Sequence, residues 1–266
     1  MDTIRLYFQY IGVSFRSQMQ YRLDFVMQSI GQFIINIIEF LAIWALLDRF
    51  GSVGGWILPE VAFLYGLVHT AFATTDATSH GFDAFGYMVR SGDFDRLLLR
   101  PRGTIFQLAA QEVTLRRIGR FLQGFVVLIW AIQAVDVEWT GPRFALLIYA
   151  FIGTYCLFYG LLMIQATVCF WTTESLEIMN IFTYGGMEMA RFPMHIYGPV
   201  FRRVFTFLIP LACTVYLPAA AILGKTDAIA YPGWFPWAAP GMGILFLLIA
   251  TQAWNFGVRH YQSTGS

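Results

Sequence analysis

The chain has 266 residues, of which 58% are hydrophobic and 12% charged, and its mean hydropathy is +0.60. Soluble domains carry about 25% charged residues, so half that share marks a membrane protein. A net charge of +1 provides no basic field for nucleic acid, and Cys156, Cys169 and Cys213 lie in apolar stretches without the paired spacing of disulfides or metal ligands.

Residues 1–22 place Ile4, Tyr7, Phe8, Ile11 and Phe15 at helical spacing, with Arg5, Arg16 and Arg22 off that stripe. This predicts an amphipathic helix on the membrane surface; the stretch has neither the compact apolar core nor the small-residue cleavage site of a signal peptide. A single transmembrane domain is expected over 23–266. Its first span, about 25–47, contains Asn36 and Glu39, polar groups costly in hydrocarbon and so expected to face protein. A glycine-rich loop over 48–58 leads to span two, about 59–78. That span opens on Pro59, where a helix tolerates proline, and its second half carries His69, Thr70, Thr74, Thr75 and Asp76.

Residues 81–103 form a loop that contains the most charged dozen of the chain, Gly92-Asp93-Phe94-Asp95-Arg96-Leu97-Leu98-Leu99-Arg100-Pro101-Arg102-Gly103. Three consecutive leucines between arginines predict a short amphipathic helix, which Pro101 ends because proline cannot extend a helix interior. Span three follows at about 105–135, and its early part, with Glu112, Arg116, Arg117 and Arg120, is expected to project from the bilayer or snorkel. A turn at 136–143 precedes span four, about 144–171, which ends on the interfacial anchors Phe170 and Trp171.

Two readings then compete. Either 203–223 is the fifth span, with Arg202 and Arg203 inside, or 174–191 is the span and 193–223, broken by Pro193, Pro199, Pro210 and Pro218, dips in and out from the far side. Non-helical backbone at membrane depth needs cover from protein or water. Tryptophans and prolines over 232–240 mark an interfacial loop, and the last span is about 241–257.

With both termini inside, the inner segments hold eleven arginines, while the outer loops hold Arg49, Arg143 and Lys225. That asymmetry satisfies the positive-inside rule and puts 92–103 in the cytoplasm. Gly224-Lys225-Thr226 ends like a phosphate-binding loop, but the glycine required five residues before Gly224 is Ala219, so ATPase chemistry is not expected of this chain. Glu39, Asn36, His69 and Asp76 are candidates for a translocation pathway. For Glu39 an interhelical hydrogen bond is the alternative, and for Asp76 a structural bond to His80 at i+4. An intramembrane enzyme acting on lipids through His69, Asp76 and His80, or a channel or scaffold subunit lined by Glu39, are the competing function classes.

Taken together, the amphipathic start, six spans and charged helix between spans two and three resemble the membrane subunit of an ABC-2-type transporter. The resemblance rests on Gly92-x-Phe94-Asp95-x-Leu97-Leu98-Leu99-Arg100-Pro101, on Phe192-Pro193-x-x-x-Tyr197, and on the prolines of Ile209-Pro210 and Leu217-Pro218. It implies an all-α integral membrane protein of the cell membrane, with six transmembrane helices and both termini cytoplasmic. The segment 92–101 would be a coupling helix, with Phe94 and Leu97 to Leu99 filling a groove of a separate ATP-binding subunit. The resemblance favours 174–191 as span five and a re-entrant region over 193–223 that includes Pro193, Tyr197, Pro210 and Pro218. It also implies two ATP-binding subunits that hold ATP and magnesium, a second identical or homologous permease chain, contact with lipid, no cofactor on this chain, and export as the direction.

Overall fold

The computed structural model describes residues 9, 12–13, 16–111, 118–172, 177–225 and 231–263. The expected surface helix with Ile4, Tyr7, Phe8, Ile11 and Phe15 falls outside these residues, as do Glu112, Arg116, Arg117, Glu174 and Thr226. Among the described residues the regular elements are helical: α1 (Arg22–Phe50), α2 (Leu58–Thr78), α3 (His80–Asp83), α4 (Phe85–Arg90), α5 (Asp93–Leu98), α6 (Thr104–Gln111), α7 (Ile118–Ala134), α8 (Gly141–Thr172), α9 (Ile178–Phe182), α10 (Tyr184–Ala190), α11 (Pro199–Leu208), α12 (Ala212–Ile222), α13 (Phe235–Ala238) and α14 (Gly241–His260).

Three of these, α1, α8 and α14, are long and apolar enough to cross a membrane, and α11 with α12 adds a fourth if that bent pair is one span. The middle of α2, residues 61–73, is wholly buried although this helix carries His69, Thr70 and Asp76. By contrast α1 exposes Ile30, Ile34, Ile35, Ile38 and Trp44, and α14 exposes Leu245, Leu248 and Ile249. This inversion of the soluble pattern follows from the solvent. Hydrocarbon offers polar groups no partner, so they turn inward and the most apolar helices face out.

Small residues bring the helices together, as expected where lipid supplies no hydrophobic drive for association. Gly66 of α2 lies against the Leu128 backbone of α7, and Gly124 of α7 against His69 and Thr70. On the other side, Gly243 of α14 meets the carbonyl of Gly153 in α8, and Gly153 meets that of Pro240. A methyl group at Gly243 would overlap backbone, which cannot rotate away. Gly243→Ala is therefore expected to destabilise the protein by about 1–3 kcal/mol, read as a lower melting temperature in mild detergent. An unchanged melting temperature would mean that the two backbones do not touch.

After α8 the chain becomes irregular for local reasons. α9 and α10, of five and seven residues, meet at Thr183, and at 1.5 Å per residue they reach about 20 Å, against about 30 Å for a hydrocarbon core. Pro193 is buried and opens a turn, Met194–Ile196, that Tyr197 ties back by donating from its hydroxyl to Met189 O at 3.1 Å. α11 ends in a π turn, where Ile209 N donates to Val204 O at 2.9 Å. Ile209 is extended, as the residue before a proline prefers, and Pro210 supplies no N–H, so α12 leaves at 81° to α11. A second π turn, Ala212–Tyr216, precedes Pro218, whose ring likewise gives no N–H to the helix.

Candidate functional site

The charged dozen folds as a helix on a plug. Gly92 adopts a left-handed conformation, φ 73°, which glycine reaches at no steric cost, and α5 starts directly after it. Asp93 and Asp95 occupy the first turn of α5 and Arg96 its last, each sign at the favourable end of the helix dipole. Asp93 accepts hydrogen bonds from Ser91 Oγ at 2.8 Å and from Arg96 at 3.4 Å, and Asp95 accepts one from Ser263 Oγ at 2.6 Å. The helix stops at Leu98; Leu99, Arg100 and Pro101 follow in an exposed turn, and Gln107 Nε2 donates to Leu97 O at 3.1 Å and Arg102 O at 2.8 Å.

The two faces of α5 differ sharply. Phe94 is fully buried and Leu97 nearly so, while Leu98 is 41% and Leu99 86% exposed. Phe94 enters an aromatic cluster with Phe85 (5.0 Å between centroids), Phe170 (5.6 Å), Trp254 (6.4 Å) and Tyr261 (5.0 Å). Trp254, also fully buried, holds Phe82, Phe85 and Phe170 at 4.9–5.3 Å and donates from Nε1 to Thr104 Oγ1 at 2.9 Å. Burial, with Asp95 beside it, pushes the Tyr261 phenol above its ordinary range, so at neutral pH it adds no charge to this cluster. This placement corrects one expectation: Phe94 and Leu97 cannot fill a partner's groove, because they fill this chain's own. The open face of α5 and the turn after it carry Arg96, Leu98, Leu99 and Arg100, with Asp93 half-exposed, beside a polar cavity of about 380 Å³ lined by His80, Tyr87 and Met88 among others.

Three of the four candidate pathway residues, Asn36, Glu39 and His69, meet around Tyr65 through partners that sequence reading did not pair, while Asp76 has a separate pairing across α2 and α7. Asn36 is buried and donates to Gln32 O at 2.5 Å, while its own backbone oxygen lies 3.1 Å from the Tyr65 hydroxyl. That hydroxyl also lies 3.3 Å from Gln123 Oε1, with one proton to share. His69 stacks on Tyr65 at 3.9 Å and is fully buried, and neither ring nitrogen has a hydrogen-bond partner among the described residues. Glu39 pairs with Arg191 at 3.1 Å; Arg191 also pairs with Glu188 and lies 5.4 Å from the Tyr65 ring. Asp76 pairs with Arg120 at 3.4 Å, and that guanidinium lies 5.8 Å from the Phe72 ring.

Arg120 is thus not a snorkelling residue: its side chain is 20% exposed and turned into the protein, because Asp76 is the acid within reach across α2 and α7. Arg120 and Arg191 are the residues that sequence reading missed. Their signal was present, since an arginine in an apolar stretch requires a counter-ion, but nothing in sequence spacing linked Arg191 to a glutamate 152 positions earlier. Lys225 is engaged in the same manner, donating to Glu60 and to Gly55 O, each at 2.7 Å; it holds the loop before α2.

A family model described as "ABC-2 family transporter protein" matches residues 33–265. The chain belongs to the ABC-2 transporter family. The match runs from within α1 to just past α14, so it takes in α5, the buried polar chain and the bent pair alike. Neither the search of curated proteins nor that of solved structures returned a match. Membership makes this ABC-2 chain a transporter membrane protein, of a family that associates with ATP-binding subunits.

Proposed function

We propose that the protein is the permease subunit of an ABC exporter in the cell membrane. In this reading two ATP-binding subunits, which carry the ATP and magnesium, dock on residues 81–103, and a second permease chain, identical or homologous, completes the pore. Both termini are cytoplasmic, six segments cross the bilayer, and α11–α12 is re-entrant from the far side. The observation that carries the reading is the division of α5. Leu98, Leu99, Arg96 and Arg100 face outward, while Leu97 is buried and Phe94 is bolted to α8 and α14. A push on the exposed face would therefore reach both long helices through packed rings rather than bend a loop, the requirement for rigid-body switching between inward-open and outward-open states.

The test keeps the bolts and removes the handle. Leu98→Ser with Leu99→Ser should leave melting within experimental error, because both side chains are exposed. The same variant should lose most of the ATP-binding subunit that purifies with the wild-type chain from native membranes in mild detergent. A wild-type chain that purifies alone, or a variant that keeps its ATPase, would refute the docking assignment. Alanine at Phe94 is a poor probe of docking, because it opens a hole in the aromatic cluster.

A further inference from the structure

Arg202 and Arg203 have no role in the buried polar chain or in α5. They line a cavity of about 350 Å³ at the bent pair, within the range of about 300–1,000 Å³ usual for small-molecule sites. Met194, Pro199, Phe207, Ala212 and Leu217 supply an apolar wall, and Tyr216 and Tyr231 supply hydroxyls. No acidic side chain is among the lining residues, and neither arginine forms an ion pair among the described residues. The wall is held firmly. His195 Nε2 lies 2.7 Å from Gly54 O, which makes it the donor there, and its Nδ1 then accepts from the Tyr216 hydroxyl at 3.1 Å. The Tyr216 ring packs 5.7 Å from Trp56.

Those contacts put the cavity at the start of α2, whereas α5 lies beyond its end, about 30 Å away at 1.5 Å per residue. Phe207, which lines the cavity, and its chain neighbour Leu208 are each at least 66% exposed, and with Tyr231 of the lining they form apolar and aromatic surface of the kind that sits at the lipid boundary. Two unpaired guanidiniums beside an apolar wall, opening at that boundary, suit a ligand with a phosphate head and an apolar tail. Guanidinium groups bind phosphate oxygens in pairs of parallel hydrogen bonds, and a soluble anion would have no use for the apolar wall.

We propose that this cavity binds an anionic amphiphile, its phosphate on Arg202 and Arg203 and its chain along Phe207, Ala212 and Leu217. The site requires only this chain and goes beyond the docking of an ATPase, so either assignment can fail without the other. The experiment is native mass spectrometry of the full chain in mild detergent, with dioctanoyl phosphatidic acid as the probe. Dioctanoylglycerol, which lacks the phosphate, and inorganic phosphate serve as comparison ligands. Wild type should retain the phosphatidic acid and bind dioctanoylglycerol about tenfold more weakly or worse, since the neutral head loses the charged hydrogen bonds to both guanidiniums. Inorganic phosphate at equal concentration should not displace the lipid. Arg202→Gln with Arg203→Gln should weaken retention about tenfold or more, R202K/R203K should lose less, and Arg259→Gln at the far end of the fold should change nothing. Equal retention of dioctanoylglycerol, unchanged affinity in the glutamine variant, or displacement by inorganic phosphate would each overturn the proposal.

Discussion

Trp254→Ala should destabilise the protein by about 3–5 kcal/mol, the cost of truncating a fully buried aromatic side chain. The indole contacts Phe82, Phe85, Phe94 and Phe170 and donates to Thr104, so its removal leaves a void lined by rings from α3, α4, α5 and α8. In lipid the loss is one of packing more than of transfer from water, because an acyl chain is as apolar as the protein interior. Trp254→Phe fills most of the void and should cost about 1 kcal/mol, the net worth of the hydrogen bond to Thr104. Thermal melting in mild detergent measures both. If W254A and W254F melt together, the cluster does not hold α5 on α14. In a reconstituted complex, W254A at a temperature where it remains folded should hydrolyse ATP with little transport, because the push on α5 no longer reaches α14.

Arg191→Ala is the second large effect, at about 1–3 kcal/mol, below the penalty for a fully buried pair because the two carboxylates left behind are half-exposed. Arg191 is nearly buried between Glu39 and Glu188, whose side chains are 40% and 51% exposed. Its loss would leave two carboxylates facing one another with no cation between them. Neutralising both, in R191A with Glu39→Gln and Glu188→Gln, should recover a substantial part of the melting temperature, since no unpaired charge then remains. Failure of that rescue would show that packing of the guanidinium against Tyr65, not charge balance, sets the cost. Arg191→Lys keeps the charge but not the planar group over the ring and should fall between wild type and alanine.

Much of the architecture was legible from composition alone. The long apolar stretches became α1, α8 and α14 within a few residues of their expected ends, because a helix that faces lipid must be apolar over most of its surface and long enough to cross. Gly92 and Pro101 bracketed the charged helix α5, since glycine reaches the left-handed conformation at its start without strain and proline cannot extend it. The interruption of α11–α12 was visible at Pro210 for the same reason. α2 was equally legible, expected over 59–78 and found at Leu58–Thr78; less legible was α10, whose stretch is short and carries Glu188 and Arg191.

The direction in which side chains face was not legible. Phe94, Leu97, Leu98 and Leu99 are nearly equivalent as letters, yet the first two are interior and the last two exposed. That difference depends on where α8 and α14 lie, which no local pattern specifies. Asn36, Glu39, His69 and Asp76 stood out singly because an isolated polar group in hydrocarbon is costly, but the partners of Asn36, Glu39 and Asp76, which are Tyr65, Arg191 and Arg120, sit on other segments. The sequence by itself determined that this is a helical membrane protein with a short charged amphipathic helix and a proline-broken hairpin, since those depend on composition and local backbone limits. Only the tertiary structure decided which acid meets which arginine and which face of α5 is free, because ion pairs and packing are settled by distance in space and not along the chain.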